Sequence, residues 1–492
     1  QFLYFIGGGQ FTSSAKMNWW LIVVACVMGL LLVGLSIYIV VIYVAENDRL
    51  SAWFPKAVVV CGFTLASVTV LLLPFDVANR KDPVTMSNWG GGLDVDLMWQ
   101  IVLWTCAAFI VVIIPFTTFF YEAYDPDQYS FVQQIGPALM YTFVVLFLFV
   151  GLLLTLWFTI GYAEIPYFAY SASPQRYDPF DARLVYSNTK VVQRLEIGVS
   201  IFVYTVGLIV GIGWFFFCIF GGVGLTALPV ETMSDFMSRP KPMSLSAFNL
   251  EKERIATRAL RLMEVGKQLE KKGVNKRSPR RKINTLRAEV MTLEKELERA
   301  VAGYNDRGTG PIKAMLMVML ACFGGIMSLL WIMHVFLYNA TRANAFLNTF
   351  LVDLDNAFNL LGTGAYAMFA FYLLWATVKG CFKVGLRIVF FQIHPMKLGD
   401  TLMNAMLFNC GLVLLCSVVV TQFCAMSFDI YASNTSIDGL LNLFVRRLKY
   451  VGDMIYWFQF AFVAVALLSV FWIILCPRQR LKKEDSGDSD DD

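Results

Sequence analysis

Histidine is almost missing from this chain: only His334 and His394 occur among 492 residues. A Ser-His-Asp relay would need one of them, and neither lies near a G-x-S-x-G turn, so hydrolytic nucleophile chemistry has no footing. Charge is scarce as well. Lys, Arg, Asp and Glu make up 15% of the residues, against roughly 25% in soluble globular chains, which argues against a soluble enzyme with a single anchor. No C-x-x-C pair is present, and the ten cysteines, Cys26, Cys106, Cys218, Cys410 and Cys424 among them, fall within or beside apolar runs. That placement implies neither a disulfide framework nor a metal site. No cofactor, no catalytic activity and no nucleic-acid partner is expected.

What the chain has instead is apolar length. Hydrophobic residues reach 58% and collect into nine runs, near residues 20–43, 57–73, 98–120, 137–160, 197–228, 312–338, 358–378, 402–426 and 454–476. A spanning helix needs about 20 apolar residues, so the expected fold class is all-α: a polytopic transmembrane helix bundle of nine spans. The run 57–73 is the shortest, and 197–228 is too long for an upright span, predicting tilt, a bend or a cytosolic extension.

One interval interrupts the series. Residues 229–313 hold 19 of the 40 Lys and Arg beside 11 Asp and Glu, and the positive-inside rule puts them in the cytosol. Counting outward, the N-terminus and the loops 75–97, 161–196, 339–357 and 427–453 are exoplasmic, and the C-terminus is cytosolic. Lys379, Lys383, Arg387 and Lys397 agree with this orientation, whereas Arg80, Lys81, Arg446, Arg447 and Lys449 run against it. Asn434, in Asn434-Thr435-Ser436, then faces the lumen as a glycosylation acceptor. The implied organisation is an exoplasmic extension (1–17), five spans (18–228), a cytosolic insert (229–311), four spans (312–476) and an acidic disordered tail (477–492). In that tail Ser486 and Ser489 sit among acids as phosphorylation candidates.

Within the insert Ile283, Leu286, Val290, Leu293, Leu297, Ala300 and Tyr304 alternate spacings of 3 and 4, the seam of a coiled coil. Ile255, Ala259, Leu262, Gly266 and Leu269 repeat the pattern upstream, and the turn-rich break 273–279 separates the two. An antiparallel coiled-coil hairpin is expected, with an intermolecular coiled coil as the alternative.

Candidate binding residues follow the seventh span. Lys379, Lys383 and Arg387 recur every four residues, with Leu386, Ile388, Val389 and Phe390 beside them. A helical amphipathic continuation to Ile393 is predicted, stopped at His394-Pro395 because the residue before proline is biased away from helix. With His394 and Lys397 this basic face is a candidate ligand or lipid-binding surface, either anchoring on anionic head groups or docking on Glu294, Glu296 and Glu298. His334, at the end of the sixth span, reads as an interfacial polar residue. Asp76 and Arg80, four apart, suit an i,i+4 pair, and Gly207-x-x-x-Gly211 with Gly221, Gly222 and Gly224 suits close helix packing.

Several strings carry a resemblance. Phe54-Pro55-Lys56, Leu73-Pro74-Phe75-Asp76-Val77-Ala78-Asn79-Arg80, Pro115 through Tyr121-Glu122, Phe220-Gly221-Gly222-Val223-Gly224, Leu228-Pro229, Arg239-Pro240-Lys241, Leu360-Leu361-Gly362-Thr363, Ile393-His394-Pro395-Met396-Lys397 and Thr401-Leu402-Met403-Asn404 resemble the limb-region, or LIMR-type, membrane proteins, closest to the plant and protist branch. The resemblance implies a receptor-like protein of nine spans with a cytosolic coiled-coil insert. That family includes a lipocalin-interacting receptor, linked to uptake and signalling, and a lysosomal protein that serves cobalamin export with an ATP-driven transporter. It supplies no catalytic residues and no ligand. The expected function is a receptor-like or adaptor protein of the plasma membrane or the endosomal/lysosomal membrane, with membrane lipids around it and a protein partner on its insert. A transporter or channel for a small solute or lipid, or an accessory subunit of a cobalamin-type exporter, is the rival. The middles of the spans offer only Asn404, Asn409, Gln422 and scattered Thr and Ser, which disfavours ion-coupled transport.

Overall fold

A computed structural model describes residues 19–45, 48, 51–80, 94–123, 131–174, 186–237, 239, 242–271, 277–305, 310–358, 360–384, 386–388, 391–393, 396 and 399–475. Among them, nine helices are long and apolar enough to cross a membrane. In chain order these are α1 (Trp19–Tyr43), α2 (Trp53–Asn79), α3 (Val95–Ala108) continued through a π-helical turn into α4 (Ile114–Glu122), α5 (Phe131–Ile160) and α6 (Ile201–Met237). Then come α9 (Gly310–His334), α11 (Leu361–Val384), α12 (Met403–Ser427) and α13 (Val451–Leu475). The chain divides into two compact units, Gln1–Leu228 with Met327–Asp492, and Pro229–Ile326.

The first unit is built around α12. Of its apolar window 78% is buried, against 67% for α6 and 61% for α2, whereas α5 buries only 6%. α12 packs on α2, α4 and α11, and aromatic rings fill the space around it: Trp214, Phe217 and Phe423 meet edge to face or tilted, Phe217 stacks on Phe462, and Trp331 stacks on Phe423. Such contacts add about 0.5–1.5 kcal/mol per pair beyond burial.

Glycine sets the closest approaches. A Cβ on Gly224 of α6 would collide with the Ala376 carbonyl of α11, and one on Gly380 with the Phe220 carbonyl. The run Phe220–Gly224 is thus a backbone-contact surface, as its composition suggests. Gly207 and Gly211 likewise face Leu448 and Met454.

Proline shapes two spans. Pro74 lies inside α2, so the second span is 27 residues rather than the short run 57–73. Pro115 follows the π-helical turn Phe109–Ile113, where the wider ladder accommodates the ring and the missing N–H.

Two local expectations are corrected. The loop 161–196 contains an antiparallel ribbon, β1 (Tyr162–Pro174) with β2 (Tyr186–Gly198), in the register Ile165↔Leu195 and Phe168↔Val192. Its aromatic and β-branched residues were too diluted by Pro, Ser and Ala to stand out in sequence. α11 ends at Val384 instead of running on to Ile393; it is followed by β3 (Leu386–Ile388) paired with β4 (Phe391–Ile393). Gly385 favours a helix end, and the β-branched and aromatic run behind it favours a short hairpin. The long run 197–228, for which tilt, a bend or an extension is expected, lies mostly in α6, which continues to Met237. Its 37 residues span about 55 Å at about 1.5 Å each, more than a hydrocarbon core of about 30 Å, so the excess is an extension at its C-terminal end.

The second unit contains α7 (Leu245–Lys271) and α8 (Arg277–Asn305). They pack antiparallel: Phe248 stacks on Tyr304 at 4.7 Å, Arg258 pairs with Glu296 at 3.2 Å, and Gly266 approaches Leu286. Ile255, Leu293 and Ala300 form the buried centre with Phe248, Ala259 and Leu262 around it. Only part of the sequence-read seam is used, because Val290 is 47% and Leu297 38% exposed. The buried α8 residues recur every seven positions, since a two-helix pair covers a narrow stripe.

Candidate functional site

Of the basic residues singled out from sequence, Lys379 and Lys383 are the two whose side chains the structure describes. Lys379 and Lys383 lie one turn apart, half-buried, near the end of α11. Arg387 sits on β3 opposite Gln392, while His394 and Lys397 fall outside the described residues, as do Ser486 and Ser489. Asn434 is exposed at a turn, with φ 63°. Among the described residues no three His, Cys, Asp or Glu side chains gather as a metal ion would require.

Polar side chains instead converge at the opposite end of the bundle, where α2 and α12 finish and α11 and α13 begin. Asp76, 2% exposed, takes three hydrogen bonds. Trp99 Nε1 donates to Oδ2 at 2.9 Å, the Ile437 amide to Oδ2 at 2.9 Å and the Ser436 amide to Oδ1 at 3.1 Å. The carboxylate therefore caps the helical turn that starts at Ser436. The expected pairing with Arg80 is overturned: Arg80 donates to the Tyr431 carbonyl and lies over the Tyr431 ring. Backbone amides that would otherwise be orphaned claim the acid, and a tertiary carbonyl claims the base.

Tyr431 is the next junction. Its hydroxyl donates to Asp355 Oδ2 at 2.7 Å and sits 3.1 Å from Thr363 Oγ1, and its amide donates to Asn348 Oδ1 at 3.1 Å. Asp355 Oδ1 in turn accepts the Gly362 amide at 2.8 Å, closing the turn from α10 (Phe346–Ala357) into α11. Burial, reinforced by Asp355, raises the Tyr431 phenol above its ordinary range. At the C-terminus of α12 the Ser427 carbonyl accepts from His334 Nε2 at 2.9 Å and from Asn348 Nδ2 at 3.0 Å, and Ser427 Oγ accepts from Asn339 Nδ2 at 2.7 Å. These side chains satisfy a helix end that has no intrahelical donors left. His334 is accordingly a core residue, 0% exposed and stacked on Phe428 and Tyr338, rather than an interfacial one. With only two histidines to compare, its position in sequence gave no sign of that role.

The outer rim is cationic. Asp429 accepts from the Tyr338 hydroxyl and pairs with Arg342 at 3.5 Å, and Arg342 lies 4.7 Å over the Tyr338 ring. Lys449 donates to the Tyr162 hydroxyl and sits over its ring, while its amide bonds the Tyr162 carbonyl at 3.3 Å, fastening the base of the β-ribbon. Burial, then the like charges of Arg342 and Arg447, push Arg446 below its ordinary value. Arg80, Arg446, Arg447 and Lys449 are four of the five cations that run against the positive-inside count, the fifth, Lys81, lying outside the described residues.

The carboxylates of this arrangement bind backbone amides, an indole, tyrosine hydroxyls and a guanidinium, contacts that tie helix ends and loops together. No solved structure matches the chain. A family model described as LMBR1-like membrane protein matches residues 21–309 and 310–476. A LIMR family protein of Dictyostelium discoideum is 33% identical over 94% of this chain and 99% of its own length. LIMR family proteins of Oryza sativa subsp. japonica and Arabidopsis thaliana are 32% and 31% identical over 92% and 94% of this chain, and 95% and 97% of their own lengths. The chain belongs to the LMBR1-like, or LIMR, family of multi-pass membrane proteins.

Proposed function

We propose that this protein is a receptor-like or adaptor membrane protein, working at the plasma membrane or the endosomal/lysosomal membrane and presenting its insert to a cytosolic partner. The observation that carries the reading is the sealed centre of the bundle. Trp214, Phe217, Trp331, Phe423 and Phe462 fill it, and the polar groups buried among them, such as Ser417, Thr421 and Gln422, are neutral. Ion- or proton-coupled transport calls for ionisable side chains near the bilayer midplane. The buried acids Asp48 and Asp76 lie instead toward helix ends. The insert supports the other half of the reading, since α7 and α8 pack on a buried centre of their own, Ile255, Leu293 and Ala300, and its basic surplus favours the cytosol.

Affinity purification of the full chain from native membranes, beside a variant lacking residues 242–305, tests the proposal. A partner retained by the whole chain and lost with the insert supports it. Solute or lipid flux by the purified chain alone in liposomes, with no insert-dependent partner, would replace it with the transporter reading.

A further inference from the structure

Three arginines are borne on or beside two turns at the facing ends of α9 and α13, and Asp429 pairs with one of them, Arg342. Arg446 and Arg447 lie on the 3₁₀ turn Val445–Arg447, and Arg342 follows the π-helical turn Val335–Ala340 that ends the sixth span. Both turns pack on α13. Asp429 is already engaged, accepting a hydrogen bond from the Tyr338 hydroxyl and pairing with Arg342 at 3.5 Å. Arg446 is half-buried, with Arg342 and Arg447 as like charges near it and Asp429 as the opposing one. A partly desolvated cation in a cluster of net positive charge is unfavourable unless an anion joins it. Moreover, Arg342 holds a left-handed backbone, φ 54°, an arrangement that a non-glycine residue adopts at a cost and that the Arg342 amide to Tyr338 carbonyl bond, 3.1 Å, sustains.

The surroundings indicate the anion's source. Directly along the same helices lie exposed apolar and aromatic side chains: Phe336 at 53%, Tyr456 at 48% and Trp457 at 69%. Aromatic rings of this kind sit at the headgroup level of a bilayer, with the hydrocarbon beneath. Planar guanidinium forks match phosphate oxygens in pairs. We propose that Arg342, Arg446 and Arg447 form a binding site for a phosphate-type oxyanion, supplied by the headgroup of a membrane phospholipid whose glycerol region lies beside Phe336, Tyr456 and Trp457.

The site is tested on the full chain, purified in detergent and stripped of lipid, by native mass spectrometry. Phosphatidylserine and inorganic phosphate are titrated in separate arms. Wild type is expected to hold one phosphatidylserine with an affinity that falls about tenfold in Arg446→Gln and in Arg342→Gln, the loss of one charge-assisted hydrogen bond. Asp429→Asn removes the acid that pairs with Arg342 and is expected to tighten binding severalfold, an opposite sign that a merely structural role would not produce. Lys267→Gln in α7 leaves it unchanged, and a thermal melt of every variant separates lost binding from lost folding. If inorganic phosphate alone binds with the same arginine dependence, the oxyanion site stands and its source is soluble. Equal lipid and phosphate binding by wild type, Arg446→Gln and Arg342→Gln, or no binding of either anion, overturns the site.

Discussion

At the scale of single residues, Asp76 shows how an acid within an apolar run is made tolerable. Its two oxygens accept an indole and two backbone amides, so the carboxylate is solvated by protein in place of water. Asp76→Ala leaves those donors buried and unpaired and is expected to destabilise the chain by about 3–5 kcal/mol; Asp76→Asn, which keeps an acceptor, should lose less. Thermal unfolding in detergent orders the variants. Asp438 contributes in a pH-dependent way. Burial raises its pKa above the ordinary 3.8, against the bond from Asn442 Nδ2 at 2.7 Å. The folded chain therefore binds more protons than the unfolded chain above about pH 3.8. Its contribution to stability is fully present below the unfolded pKa and is lost as pH rises through the folded one. Asp438→Asn should flatten the fall in melting temperature across that interval; an unchanged slope would assign it to another group.

Elements translate these residue effects into packing. The α7–α8 pair rests on a small centre of Ile255, Leu293 and Ala300, whereas Val290, one turn from Leu293, is half exposed. Leu293→Lys is expected to cost the pair about 2–4 kcal/mol by placing a charge among apolar side chains, while Val290→Lys leaves helicity intact. Circular dichroism of residues 242–305 alone measures both, and equal loss in the two variants would mean that Val290 is also covered. In the spans, the balance is reversed: α12 is apolar on every side and 78% of its window is buried, while α5, more apolar still, has 6% of its window buried. Composition cannot separate a helix facing protein from one facing lipid, since both surroundings are apolar.

For the molecule as a whole, orientation is the property that gives every surface its partner. The proposed arrangement, with the insert and the C-terminus cytosolic, puts the Asp76–Tyr431–Asp429 network and Asn434 on the exoplasmic side. A C-terminal tag should then be reached by antibody only after permeabilisation. Asn434, exposed in its turn, should carry an N-glycan that Asn434→Gln removes as a mass shift. A tag accessible on intact cells reverses the assignment and moves the cationic rim of Arg342, Arg446 and Arg447 to the cytosolic leaflet.

The number and approximate limits of the spans were determined by sequence alone, because about 20 consecutive apolar residues have no other stable placement, and so was the presence of a polar insert with helical periodicity. Three things were decided only by tertiary structure. Pairing of Asp76 and Arg80 looked local but was settled by amides and a carbonyl more than 350 positions away. The role of His334 depended on an α12 carbonyl left without a donor, a demand that appears only once the helices are side by side. The end of α11 was marked in sequence by Gly385, yet a basic repeat of four suited a helix as well, and local propensities that differ by about 1 kcal/mol leave such a choice to the packing around it.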